Sequence, residues 1–355
     1  MTIPFTGSEV PVKILSTGHK NMDQESITKG LLSGIVDHYT REIAQDPNRS
    51  VRKLLDMAEL TSAGPTQRIC YQMMQQMAAN QSSPYYDMIH HLVTHTDPLT
   101  IKQFGINIGH NAWAFGSGNI RRIIDQCDPC LSWAVLIDRA PVPERIPFSA
   151  VKDLIIRGRK LDIYAWLFLA SDSLDEWNEY TDLFRENQDS VFGLYVHPCD
   201  LHEEILEEAA EIPNLMFLLN TDEADWQISA GTLSEKGLLY SAMRFVSDDA
   251  QASEILSGSW MEEMVPYYPL MAFTVLSDTL PEKTAKEIKE YMWNTRLDQV
   301  YPILPTDLIS DFVIINQLVM NRRIFYRVNA DGSVSAAKDL LFEKSSLTFK
   351  DLFVY

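Results

Sequence analysis

Two hydrophobic rhythms divide the chain. In the first third, apolar residues recur at three- and four-residue steps. They are Leu31, Leu32, Ile35, Val36 and Tyr39 within 27–44, then Val51, Leu54, Leu55 and Met57 behind the capping residues Asn48 or Ser50, then Ile69, Met73 and Met77 within 68–79. This spacing lines one face of a helix, so helices are expected there and again over 85–94 and 99–107. Gly116, Ser117 and Gly118 predict a break before a last helix over 120–126. The methionine stripe predicts ordinary core packing.

From Leu131 the rhythm changes to short apolar runs alternating with amphipathic stretches. The runs are Trp133 to Ile137, Ile163 to Leu169, Val191 to Val196, Leu215 to Leu219, Leu238 to Met243, Leu270 to Leu276 and Phe312 to Ile315. Continuous apolar runs of this length suit strands buried on both faces of a parallel sheet. Helical faces lie between them: Phe148, Val151, Leu154, Ile155 and Leu161; Leu201, Ile205, Leu206, Ala209 and Ile212; and Ala285, Ile288 and Met292 behind Pro281. Strand–helix alternation predicts a parallel α/β sheet, open or closed into a partial or full barrel. Near the end, Phe325 to Val328, the turn Asn329-Ala-Asp-Gly332 and Ser333 to Ser335 predict a hairpin.

Composition narrows the function classes. The chain has 355 residues, enough for a large core, and a formal net charge of −19. That field repels phosphate backbones, which argues against nucleic acid as a partner. No apolar stretch approaches the ~20 residues of a membrane span, and residues 1–12 lack the pattern of a signal peptide. Four unevenly spaced cysteines cannot form a dense disulfide framework, so a cytoplasmic location is expected.

Three segments, in order, resemble the radical SAM proteins, and within them the subgroup with a helical N-terminal extension and a C-terminal SPASM-like accessory region. Trp133-Ala-Val-Leu-Ile-Asp138 is similar to the first barrel strand, Phe148 to Leu174 to the first helix and second strand, and Phe325 to Phe342 to the hairpin that carries an auxiliary-cluster cysteine; residues 107–124 resemble the last helices of the extension. The resemblance implies a helical N-terminal domain over 1–128, a radical SAM-like full or partial (β/α) barrel over 129–310, and an accessory segment over 311–355. It also implies where chemistry is missing. The family's C-x-x-x-C-x-x-C loop follows the first strand and holds a 4Fe-4S cluster whose open iron takes S-adenosylmethionine. Here that loop reads Arg139-Ala-Pro-Val-Pro-Glu-Arg-Ile-Pro147, and no cysteine occurs between Cys130 and Cys199. The Gly-Gly-Glu-Pro motif falls on Ala170-Ser-Asp-Ser173, leaving only Asp172 as an acid, and Ala337 and Leu318 lie where auxiliary cysteines would align. Binding of the cluster and of S-adenosylmethionine is therefore expected to be lost, with no other cofactor implied.

In a parallel barrel the functional groups sit at the C-terminal strand ends. Asp138, Arg139, Asp172, Asp222, Arg244 and Asp278 are the ligand-binding candidates there, and Asp138, Asp172, His197 and Arg244 the catalytic ones; Asp307 also ends a strand-like stretch. The competing reading is that strand-end aspartates cap the next helices. His197, Cys199 and His202 offer metal-ligand chemistry, though the spacing fits no familiar zinc motif and no metal is expected. Cys127-Asp-Pro-Cys130 lacks the strand–helix context of a redox pair. The first functional reading is a non-catalytic homologue, acting as partner or regulator of an active radical SAM relative or as a binding module for a peptide or small molecule. The alternative is a repurposed barrel enzyme with a polar or metal site at the strand ends. A hydrolase of an unrelated barrel family would need an acid pair or metal box, and none is found.

Overall fold

The computed structural model describes residues 18–60, 65–126, 130–169, 174 and 176–353. The N-terminal rhythm becomes helices α1 (Gly18–Ile43), α2 (Pro47–Leu60), α3 (Pro65–Ala78), α4 (Tyr85–His95) and α5 (Pro98–Ile106), followed by a π-helical stretch (Asn107–Gly116) and α6 (Ser117–Gln126). Asp97 starts α5 by accepting the Leu99 and Thr100 amides at 2.8 and 3.2 Å, ahead of a proline in the first turn.

The break expected at Gly116 to Gly118 does not occur. Backbone winding runs on from α5 through the π stretch into α6. Gly116 serves close approach instead: a Cβ there would stand 2.3 Å from the Asp162 carbonyl oxygen. On the same stretch, buried Asn107 donates to the carbonyls of Gln188 and Ser190, both at 2.8 Å, and Asn111 to that of Asp189 at 2.8 Å. The last helices thus fasten to the barrel by side-chain amides that donate to the carbonyls of one loop, joined there by Gln103 on Gln188 O at 2.9 Å and Asn214 on Ser190 O at 3.2 Å.

The second rhythm becomes strands β1 (Ala134–Asp138), β2 (Ala165–Leu169), β3 (Val191–Val196), β4 (Leu215–Asn220), β5 (Tyr240–Val246), β6 (Met271–Leu276) and β7 (Leu304–Asp307), with helices α7 (Phe148–Arg159), α8 (Trp177–Glu186), α9 (Glu203–Ala209), α10 (Trp226–Glu235), α11 (Asp249–Ser257), α12 (Ser259–Met264), α13 (Glu282–Asp298) and α14 (Leu308–Met320). Strands β8 (Phe325–Val328), β9 (Ser333–Ala337) and β10 (Phe342–Thr348) follow. All ten lie in one sheet, in the order β10-β9-β8-β1-β2-β3-β4-β5-β6-β7. From β8 through β7 every pairing is parallel, and β8–β9–β10 is antiparallel. This is the circular order of a parallel barrel, but β7 and β8 are not hydrogen-bonded to each other. The fold is therefore α/β with an open, partial barrel preceded by helices, as the strand–helix alternation implied.

Two expectations change. Phe312 to Ile315 lies inside α14, not in a strand. That helix is apolar on several faces because it is buried between sheet and helices, and an apolar run alone cannot tell a buried strand from a buried helix. The short strand β7, Leu304-Pro-Thr-Asp307, has too little hydrophobic signal to stand among the apolar runs, and in the sequence only Asp307 marked it, as a strand end. The expected boundary between residues 310 and 311 falls within α14, and the predicted hairpin continues the barrel sheet through the β8–β1 pairing.

A second seam joins α4 to the barrel. His91 stacks between His95 (ring centroids 3.9 Å apart) and Tyr268 (4.5 Å). Burial, then the neighbouring His95 and His90, lower its pKa to about 4 from the ordinary 6.5. The folded state therefore keeps His91 neutral where the unfolded chain protonates it, and stability should fall as pH drops from 6.5 towards 4. The full shift corresponds to roughly 3 kcal/mol, which the ring's partial exposure reduces to about 1–2 kcal/mol. Denaturant melts at pH 7 and pH 5 should show that His91→Phe, which keeps the stack, loses less stability than the wild type; equal losses would remove His91 from the account.

Candidate functional site

The C-terminal strand ends do not form one site, because side chains alternate between the two faces of each strand. Asp138 and Arg327 face the interior of the curl. Register places Arg327 beside Leu136, two residues before Asp138 on the same face. Together with Asp278, which follows β6, they line an open cleft of about 800 Å³. In the sheet, β8 and β6 are six strand positions apart, roughly 29 Å in a flat sheet at about 4.8 Å per strand. Their residues share a cleft because the sheet curls. The remaining wall comes from the β1–α7 loop (Ala140, Val142, Pro143, Glu144), the β8–β9 turn and the β10 residues Phe342 and Lys344.

Arg327 is one of two cations that line this cleft, with Lys344. Its Nε donates to Asn329 Oδ1 at 2.8 Å, and its guanidinium carbon stands 4.7 Å from the Phe342 ring centroid. Asn329 is held in turn: its amide donates to Ser333 Oγ and Ser335 Oγ, both at 2.9 Å, and Ser333 Oγ donates to Asp331 at 2.6 Å. Burial lowers the Arg327 pKa, opposed by the fields of Asp138 and Asp278. Burial likewise raises that of Asp138, one of whose oxygens accepts the Ala140 amide at 2.8 Å.

The other sequence candidates go elsewhere. Arg139 is 1 % exposed and turns into the wall behind the cleft, where its Nη1 donates to Ile146 O at 2.9 Å and its Nη2 to both Glu176 carboxylate oxygens at 2.8 and 2.5 Å. Arg244 points outward to the helix layer. It lies 5.3 Å from the Trp260 ring centroid and pairs with Asp222 at 2.6 Å and Glu254 at 2.7 Å. Asp307 is buried, caps α14 through the Ser310 amide at 2.9 Å and accepts from Thr274 at 3.3 Å; burial pushes its pKa up to about 6. Asp172 lies outside the described residues, as does Cys127.

His197 ends β3 with its Nδ1 against the Glu223 carboxylate, and Glu223 also accepts from Asn220 at 2.9 Å. Cys199 and His202 are exposed, and no group of three or more His, Cys, Asp or Glu side chains that could hold a metal ion occurs among the described residues. The β1–α7 loop offers carboxylate, guanidinium and proline but no thiol, and Cys130 stands before the start of β1, at the opposite end of that strand. These donors do not fit an iron–sulfur cluster.

Sequence reasoning missed Arg327, Asn329 and Ser335. One signal was available: a charged residue inside the short apolar strand Phe325-Tyr-Arg-Val328 must face something polar. The Asn329 to Gly332 turn was legible as a turn, but not as the brace of an arginine.

Among the described residues no helix is long and apolar enough to cross a membrane. No family model and no curated protein matches the chain. Solved structures do. SuiB of Streptococcus suis bound to S-adenosylmethionine aligns with a TM-score of 0.46 at 8 % identity, over 65 % of this chain and 65 % of that one. SuiB bound to the precursor peptide SuiA aligns with a TM-score of 0.45 at 8 % identity, over 60 % and 61 %. The chain thus matches just under two thirds of SuiB's length.

Proposed function

We propose that this chain is a radical SAM homologue that binds without radical chemistry, a half-barrel scaffold that receives a peptide segment or small polar ligand in the cleft around Arg327. The observation that carries the reading is the union of two facts about one loop. The segment 139–147, where the family resemblance puts the cluster thiols, contains none. It is instead pinned as a cleft wall by Arg139 on Ile146 O and Glu176, and by the Ile146 amide on Ala330 O at 2.8 Å. A concave, open site with a few converging polar groups is the usual form of a ligand site.

The first test is iron and sulfide analysis, with an absorption spectrum, on protein purified without oxygen. Neither element above background is the expected result. About four of each per chain would overturn the proposal, since ligands other than thiols on this loop would then hold a cluster.

A second reading is favoured by one observation. The Glu223 carboxylate holds His197 Nδ1, the arrangement that orients a general base. A repurposed enzyme acting through His197 would show turnover of some substrate that His197→Asn abolishes while ligand binding in the Arg327 cleft persists.

A further inference from the structure

We infer that the cleft takes a ligand carrying a carboxylate and an ammonium group a few ångströms apart, the carboxylate on the Arg327 guanidinium and the ammonium between Asp138 and Asp278. This deepens, and rests on, the reading of the cleft as a ligand site.

Arg327 has donors to spare. A guanidinium has five N–H groups. Asn329 takes the Nε–H of Arg327, and Phe342 covers one face of its plane. The Nη edge remains, and among the described residues no carboxylate lies within 4.0 Å of it; every ion pair they form involves another cation. A half-buried arginine gripped at Nε and stacked on a ring has its fork already aimed, so little side-chain entropy is lost when a carboxylate meets it.

The surrounding charge decides the rest. Asp138, Glu144, Asp278 and Asp331 line the cleft against Arg327 and Lys344, an excess of two negative charges. Asp331 is occupied by the Ser333 amide at 2.9 Å and hydroxyl at 2.6 Å. Asp138 and Asp278 both act on Arg327 through space without touching it. An isolated anion entering this lining meets net repulsion, and an isolated cation meets Arg327. A ligand with both charges side by side answers both, and leaves no buried charge unpaired. That chemistry has two sources: a free α-amino acid, or a peptide with adjacent basic and acidic side chains.

The experiment is calorimetric titration of the full chain with two sets of probes at up to millimolar concentration. The first set is leucine, N-acetylleucine and leucine amide. The second is the blocked peptide acetyl-Ala-Lys-Glu-Ala-amide and the same peptide with glutamine replacing either charged residue. One set should bind in its doubly charged form, and removing either charge should weaken it at least about tenfold. Arg327→Lys, which keeps the charge but not the fork, should weaken the doubly charged probe by a similar factor and leave the probe lacking a carboxylate unchanged. Asn329→Ala, which frees the guanidinium without removing it, should give a smaller loss; thermal melts of both variants report whether they fold. Equal affinity for neutralised and doubly charged probes, insensitivity to Arg327→Lys in a folded variant, or no binding by any probe would overturn the inference. Val142→Trp, a bulky change at an exposed wall position, separates the two levels. If it blocks binding that Arg327→Lys does not affect, the cleft is a ligand site and the two-charge inference is wrong. If neither variant affects binding, both fail.

Discussion

Arg139→Met should cost about 3 kcal/mol of folding stability and loosen the wall of the Arg327 cleft. Methionine keeps the apolar stem against Phe148, whose ring centroid lies 5.6 Å from the guanidinium, so the loss is electrostatic and not one of packing volume. What disappears is the bond to Ile146 O and the bidentate grip on Glu176, made by a side chain that is 1 % exposed. Breaking a buried ion pair from one side typically costs about 3–5 kcal/mol. Glu176 retains 22 % exposure and can turn to solvent, or to Arg145 at 3.3 Å, which places the expected value at the low end of that range. The Ile146 carbonyl has no such escape. Its residue also bonds through its amide to Ala330 in the β8–β9 turn, so the disturbance reaches both walls of the cleft. Denaturant unfolding reads the stability, and amide hydrogen exchange over 140–146 and 329–333 reads the wall. A loss under about 1 kcal/mol with unchanged exchange would mean that the ladder bond from the Arg139 amide to Leu169 O at 2.8 Å holds the loop alone. Arg139→Lys should recover little, because one ammonium cannot stand both at the Nη1 position on the Ile146 carbonyl and at the Nη2 position on Glu176.

Gly116→Val should be at least as damaging, at about 3 kcal/mol or more, beyond the usual overpacking range of about 1–3 kcal/mol. The first added atom would lie 2.3 Å from the Asp162 carbonyl oxygen. That oxygen is backbone and cannot rotate aside. Asp162 itself sits at φ 62° in the turn that leaves α7, and the Ile163 amide is bonded to Gly158 O at 3.0 Å, so the turn has little freedom to retreat. The helix must move instead, and with it Asn107 and Asn111, which serve the 188–190 carbonyls. The expected signature is a large loss of stability together with faster exchange at the α5–α6 seam. Gly118→Val is the control: a Cβ at Gly118 meets nothing within 4 Å and should cost only helix propensity, about 0.5 kcal/mol either way. Equal effects at the two positions would refute the close-approach account.

These two residues also mark what was readable in advance. Gly116 was visible as a special position, and the physical reason first assigned to it, a helix break, was wrong. Glycine's permissiveness and its small size look the same in a sequence, and only the neighbour Asp162 tells them apart. Arg139 was visible as a strand-end arginine and a ligand candidate. Whether such a side chain faces the cleft or the wall depends on a rotation of one residue in register, which flips faces in a strand. The same alternation sends Arg244 to Trp260 and the helix layer while Phe245, its neighbour, packs inward against Tyr195 at 5.2 Å.

By itself the sequence determined the alternation of strands and helices, the helical start, the parallel character of the sheet and the absence of thiols from the loop after Asp138. Each of these is written in local spacing or in residue identity. The tertiary structure alone decided that Phe312 to Ile315 is helix, that the sheet stays open between β7 and β8, and that Asp138 of β1, Arg327 of β8 and Asp278 after β6, far apart in the chain, share one cleft. Curvature accumulates from the twist and packing of all the strands together, so no local window of residues records it.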